Sequence, residues 1–218
     1  MDKLDYKKAY KELYFPKSTP SLIQVPGMTF IQVTGKGDPN TCQEYKDAIE
    51  ILYGLSWGIK MNRKGEERPE GYFEYTVFPL EGMWQLEDTS MEGGIIRDKN
   101  NFKWISMIRQ PDFVTPQVFE KAKERLLKKK PDTDFTNTRL AVYEEGLCCQ
   151  VMHTGPFDEE AASIEKLEAY IREAGYETDI TEVRQHHEIY LSDFRRTAPE
   201  RMKTVIRHPV KVKLLVTP

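Results

Sequence analysis

Cys148-Cys149-Gln150-Val151-Met152-His153-Thr154-Gly155-Pro156-Phe157-Asp158 has a counterpart earlier in the chain, Met28-Thr29-Phe30-Ile31-Gln32-Val33-Thr34-Gly35-Lys36-Gly37-Asp38. Both are strand-like runs that end in Thr-Gly-x-x-Asp and lead into a helical pattern. A second echo follows in the same order, Met107-Ile108-Arg109-Gln110-Pro111 and then Val205-Ile206-Arg207-His208-Pro209. Each half reads strand, helix, strand, strand, and duplication is the economical explanation. The expected fold is α+β: duplicated strand-helix-strand-strand units with pseudo-two-fold symmetry, an antiparallel sheet, helices on one face and a ligand cleft on the other.

Outward from these signatures, the repeats cover about 22–112 and 138–218 of one domain that spans 1–218. Leu4, Tyr6, Ala9, Tyr10, Leu13 and Tyr14 among lysines predict an N-terminal helix over 2–14, ended by Pro16. A strand is expected near 27–34. The helix after it, capped by Thr41 with Glu44 as box partner, should run to about Lys60. The segment 61–71 reads as a loop, 72–79 as a strand rich in aromatic and β-branched residues, and 87–101 as a loop around Gly93-Gly94. A strand over 102–110 leads to a linking helix over 116–130, capped by Thr115. Strands over 139–144 and 147–153 follow, then a helix over 158–174 stopped by Gly175. Strands over 186–192 and 201–216 complete the second half. The first half is longer between its two signatures, and the surplus, around 79–101, holds Glu81, Met83 and Trp84.

Composition narrows the function classes. The 218 residues are 39% hydrophobic and 31% charged, which suits a globular core. A net charge of -3 gives no global basic field for nucleic acid, and Lys128-Lys129-Lys130 reads as a helix end. No apolar run approaches a membrane span, and the charged N-terminus has no signal-peptide core. A cytoplasmic protein is expected, with no direct nucleic-acid partner and no membrane partner. Cys42, Cys148 and Cys149 make no disulfide framework, and no Cys/His spacing suggests a metal, so neither metal nor cofactor is expected. Cys149 has no base partner in the sequence.

Within the second half, His186-His187-Glu188-Ile189-Tyr190-Leu191-Ser192-Asp193 alternates polar and apolar residues with period two. His187, Ile189 and Leu191 can lie on a core. His186, Glu188, Tyr190 and Ser192 share the other face, which puts a carboxylate between an imidazole and a phenol. A wet face of an antiparallel sheet gives the same pattern. His153, before the Thr-Gly turn, reads as structural.

Val151-Met152-His153-Thr154-Gly155-Pro156-Phe157-Asp158, the helix ending at Gly175-Tyr176, Glu188-Ile189-Tyr190-Leu191 and Ile206-Arg207-His208-Pro209-Val210 together resemble the GyrI-like small-molecule-binding family. With Phe78-Pro79-Leu80-Glu81-Gly82-Met83-Trp84, the whole chain looks like the family's stand-alone members. The resemblance implies a duplicated strand-helix-strand-strand fold whose aromatic cleft holds a buried glutamate that meets cationic or polar aromatic ligands. The match to the family's Glu-x-Tyr motif is Glu188 with Tyr190. Some stand-alone members resemble hydrolases that open strained cyclopropane rings of DNA-alkylating natural products, and there aromatic and carboxylate groups of the cleft do the chemistry.

A carboxylate among aromatic rings suits two tasks. It can pair with a delocalised cation over ring faces, or act as a general base for water attack. Glu188 is the candidate base, and Tyr190 the group that orients water or protonates a ligand carbonyl. Glu81, Trp84, Trp104, Phe78, Tyr143 and His186 are candidate ligand-binding residues. The readings that stay open are a hydrolase, a non-catalytic binder of cationic or aromatic compounds, and a protein-interaction module such as a topoisomerase inhibitor. The sequence leaves the oligomeric state undefined.

Overall fold

The computed structural model describes residues 3–62, 68–86, 91–92, 95–96, 102–193 and 196–213. In chain order the elements are α1 (Tyr6–Ala9), α2 (Lys11–Tyr14), β1 (Ser21–Val25), β2 (Met28–Lys36), α3 (Gln43–Met61) and β3 (Leu80–Leu86). The two-residue strands β4 (Met91–Glu92) and β5 (Ile95–Ile96) follow, then β6 (Phe102–Arg109), α4 (Pro116–Lys129), β7 (Thr138–Tyr143) and β8 (Gly146–Thr154). A short 3₁₀ turn, Phe157–Glu159, precedes α5 (Ala161–Glu173), β9 (Tyr176–Thr178), β10 (His186–Tyr190) and β11 (Lys203–Val212). The chain divides into two compact units, Met1–Ala9 with Met28–Tyr143 and Tyr10–Gly27 with Glu144–Pro218. Among the described residues no helix is long and apolar enough to cross a membrane.

The first unit is an antiparallel sheet in the order β3-β6-β2-β7, with α3 packed on β2, β6 and α4. Leu52, Leu55 and Ile59 form the buried stripe of α3, spaced as a helix requires. Thr115 caps α4 by accepting from Val118 N at 3.3 Å, with Pro116 in the first turn. Trp104 pairs across the sheet with Gly35. A Cβ on Gly35 would come within 2.3 Å of two indole ring carbons, so only glycine admits that ring.

The second unit is an antiparallel sheet in the order β1-β8-β11-β10, with β9 beside the far end of β11. Leu167 and Ile171 of α5 pack on Cys149, Val151, Ile206 and Val210. Gly175, at φ +81, ends that helix. The α+β class and antiparallel pairing hold in both units.

Several local expectations are corrected. The N-terminal segment is two single-turn helices broken at Tyr10, whose φ of -124 and ψ of 46 are non-helical. Tyr6 stacks on Phe78 at 5.4 Å in the first unit. In the second unit, Glu12 O and Leu13 O of α2 accept from Gln150 Nε2 and Arg207 Nη2. The cap of α3 is Cys42 rather than Thr41, because Asp38 O accepts from both Thr41 N and Cys42 N and holds the approach as a turn. The segment 72–79 is not a strand: its one bridge pairs Tyr75 with Leu4. Its rings instead gather on Phe113, with centroids at 5.1 Å for Tyr72, 5.5 Å for Phe73 and 5.8 Å for Tyr75. Lys60 Nζ donates to Tyr75 O at 2.6 Å, and the Tyr72 hydroxyl to Lys60 O at 2.7 Å. Within the loop expected over 87–101, Met91–Glu92 and Ile95–Ile96 are instead the antiparallel pair β4 and β5, and its other residues, the stretch 63–67 and the chain beyond 213 lie outside the described residues.

Candidate functional site

β10 alternates as its sequence requires. His187 and Ile189 are buried on one face, and His186, Glu188 and Tyr190 are half-buried on the other. Antiparallel partners share a face. Glu188 lies opposite Ile206, and Ile206 opposite Val151, which packs under α5. The Glu188 face is therefore the one α5 covers, whereas the repeat suggested the face away from the helices. Register with β11 fixes this parity, and a one-residue slip would reverse it.

On that face the polar side chains form a continuous hydrogen-bonded string. Tyr190 donates to Glu188 Oε2 at 2.7 Å. Glu188 Oε1 lies 2.9 Å from His186 Nε2, and His186 Nδ1 lies 2.7 Å from His208 Nε2. His208 Nδ1 lies 2.6 Å from Glu168 Oε1 on α5, and Thr178 donates to Glu168 Oε2 at 2.7 Å. The edge of the Phe157 ring meets Tyr190, centroids 5.6 Å apart. Burial works to raise the Glu188 carboxyl, but hydrogen bonds from His186, Tyr190 and Glu160 and the charge of His186 outweigh it and hold the group below its usual range. The His208 hydrogen bond leads the lowering of Glu168. Burial holds His208 below the usual histidine range against the pull of Glu168.

Glu160, on the turn before α5, completes the cluster. Its carboxylate, His186 and Glu188 offer donor atoms within 4.8 Å of one another, a spacing that could hold a cation. Here His186 Nε2 and Glu188 Oε1 lie 2.9 Å apart and hydrogen-bond to each other. The arrangement as it stands is an acid–base cluster.

The opposite face of the same strands carries a second, fully buried cluster. Glu145 Oε2 accepts from Arg207 Nη1 and lies 3.0 Å from each of Arg207 Nη1 and His187 Nδ1, all three side chains being 1% exposed. Arg207 also donates to Gln150 Oε1. Burial works to raise Glu145, but His187 and Arg207 bring it down to about 2. This cluster holds α2 through Leu13 O and has a structural role. His153 is structural too, its ring lying 2.9 Å from Ser163 Oγ and 3.1 Å from Pro156 O. Burial pushes the Cys149 thiol up to about 12 and raises Cys148 further.

The remaining sequence candidates lie in the first unit. Trp84 and Trp104 are cross-strand partners. Both rings meet Tyr45 of α3, at 5.8 and 5.1 Å, so they lie on the helix-covered face and not on the open one where a slot was expected. Phe78 is buried between Tyr6 and the Arg109 guanidinium, which sits 5.0 Å above its ring. Glu81 is buried on the other face of β3, opposite Met107. Tyr143 is half-buried at the end of β7, opposite Met28. Sequence reasoning found Glu188, Tyr190 and His186 but missed Glu160, Glu168 and the part played by His208. His208 stands in the second echo, and that signal marks it; the two glutamates are two among many acidic residues of a helix and its approach.

The family model of the GyrI-like small molecule binding domain matches residues 138–211. A hydrolase from Listeria innocua, known from its crystal structure, is 44% identical over 96% of this chain and 100% of that one, with a TM-score of 0.85. An uncharacterized conserved protein from Listeria innocua is 45% identical over the same shares, with a TM-score of 0.88. The EcmrR C-terminal domain, 12% identical over 89% of this chain and 98% of that one, shares the fold with a TM-score of 0.52. No curated protein matches the chain.

Proposed function

The chain belongs to the GyrI-like small-molecule-binding family, and from that premise we propose that it is a hydrolase of aromatic compounds carrying a strained cyclopropane, with Glu188 as the general base. The observation that carries this reading is the Glu188 carboxylate itself, held on one oxygen by His186 and on the other by Tyr190 in a half-buried cluster. Its ionised state and fixed orientation suit proton abstraction from a water molecule. In the proposed reaction, the water oxygen bonds to a cyclopropane carbon and the carbon–carbon bond breaks. The electron pair moves to a conjugated carbonyl oxygen, Glu188 takes the water proton, and that proton then neutralises the new oxyanion, which completes the addition of one water and restores the carboxylate. Tyr190 orients the carboxylate, and Phe157 offers an aromatic surface beside it. The hydrolase from Listeria innocua supports the reaction class.

A non-catalytic binder is the second reading, favoured by the family's small-molecule domain. The free cysteines Cys42, Cys148 and Cys149 support a reducing, cytoplasmic setting. The test is to incubate the protein with a spiro-cyclopropyl cyclohexadienone and follow it by mass spectrometry. A product heavier by one water, formed over many turnovers and slowed about 10²–10⁴-fold by Glu188→Gln, is expected. Bound but unchanged compound selects the binder, and neither binding nor turnover rejects both.

A further inference from the structure

The string of hydrogen bonds runs past Glu188 to α5, and its polarity can be worked out from the far end. Glu168 is a carboxylate, so its Oε1 accepts and His208 Nδ1 carries the proton. His208 is buried and neutral, so its Nε2 is bare and accepts from His186 Nδ1. His186 Nε2 then faces the Glu188 carboxylate, where two acceptors cannot meet. His186 thus donates from both ring nitrogens, to His208 on one side and to Glu188 on the other. Each tautomer is set by the partner behind it, as with metal-bound and catalytic histidines that lean on a carboxylate.

We propose that His208 and Glu168 are positioning residues that fix the protonation of His186 and thereby hold Glu188 in its carboxylate form for the reaction. This rests on the reading of Glu188 as the base. Neither residue has to touch the ligand. Both act by giving the His186 Nδ1 proton an acceptor inside a buried setting, which keeps a donor and its charge against Glu188. The groups that bear on the string are few. Tyr190 and Glu160 face Glu188. Glu145 acts on His208 at longer range, and Thr178 and Arg172 act on Glu168.

The test uses the full chain, the spiro-cyclopropyl cyclohexadienone and the variants Glu168→Leu, which removes the acceptor of the His208 Nδ1 proton, His208→Leu and His208→Gln. Loss of the backing should move the acid limb of kcat/KM to higher pH by about one unit, a ~10-fold loss on that limb, and leave the plateau at higher pH in place. A purely structural role lowers the whole profile without moving the limb. His208→Gln can still offer a side-chain carbonyl to His186 Nδ1 and should stay within about 3-fold of the parent. A second readout needs no substrate. In ¹⁵N NMR, the His186 Nδ1 that faces His208 should carry a proton in the parent and be bare in Glu168→Leu and His208→Leu. An unmoved acid limb together with unchanged His186 nitrogens overturns the inference. Glu188→Gln separates the two ideas. If it turns over like the parent, the base reading fails. If it is inactive while the Glu168 and His208 variants behave as the parent, the positioning role fails alone.

Discussion

The two units answer the same structural question with different side chains. In the first, Ile108 on β6 lies opposite Leu80 on β3, and Gln110 follows. Gln110 Nε2 donates to Ser56 Oγ on α3 at 3.0 Å. In the second, Ile206 on β11 lies opposite Glu188 on β10, and His208 follows, hydrogen-bonded to Glu168 on α5. The position of Glu188 is thus that of Leu80, two residues back His186 stands where the first unit has Phe78, and His208 stands where it has Gln110. One frame carries an apolar and neutral string, the other an ionisable one. The frame needs only a sheet and a helix beside it; the chemistry is added by three or four side chains.

The comparison is broken most severely on the other face of the second unit. Glu145→Leu leaves the Arg207 guanidinium and the His187 ring without their buried carboxylate. It should cost about 3–5 kcal/mol in urea unfolding, and pairing it with Arg207→Met should recover most of that. A single variant that unfolds like the parent would show that the ion pair adds nothing to the unit.

Gly35→Ala probes the first unit. The added methyl meets the Trp104 ring, and a loss of about 1–3 kcal/mol is expected, a drop of several degrees in thermal unfolding. Trp104→Leu in the same chain should relieve part of it.

Acid titration of stability sharpens the contrast further. His208 is depressed below its unfolded value near 6.5, so its contribution is complete above that pH and is lost as pH falls towards the folded value. Glu168 and Glu188 are depressed below 4.5, so their contributions are lost as pH falls below that value, and Glu145 loses its own down to about 2. Stability should therefore decline from neutral pH downwards, first through His208 and then through the carboxylates. Chemical unfolding measured from pH 7 to pH 3 checks the order.

The smallest change in stability should come from the transplant His186→Phe, Glu188→Leu, His208→Gln, which copies Phe78, Leu80 and Gln110. Replacing a buried polar network by apolar groups of similar volume is near neutral, within about 1 kcal/mol of the parent. The slope of stability between pH 6.5 and 4.5 should flatten, and turnover should vanish. A large loss of stability would mean that the string holds the second unit together.

Much of the frame was legible because it is local. Period-two alternation put His186, Glu188 and Tyr190 on one face and His187 and Ile189 on the other, and the structure keeps that division. The turn at Thr154-Gly155, Thr115 as a cap and Gly175 as a stop follow from backbone chemistry within a few residues, whereas Thr34 and Gly35 stay in β2, paired with Ile105 and Trp104. The misreadings arose where propensity met packing. The aromatic segment 72–79 has strand-like composition, yet its rings find Phe113 and its backbone finds Lys60. His187 lies on the core face that its position in the strand predicts, but its partner there, Glu145, is 42 residues away and outside any local pattern.

The sequence by itself determined the α+β order of elements and the three polar residues of β10, because alternation and turn chemistry are properties of neighbouring residues. Tertiary structure alone decided which way that polar face looks. Pairing with β11 put it under α5, and only there do Glu160, Glu168 and His208 reach it. Strand register and helix docking are long-range choices, and no stretch of the chain contains both partners of the hydrogen bonds they create.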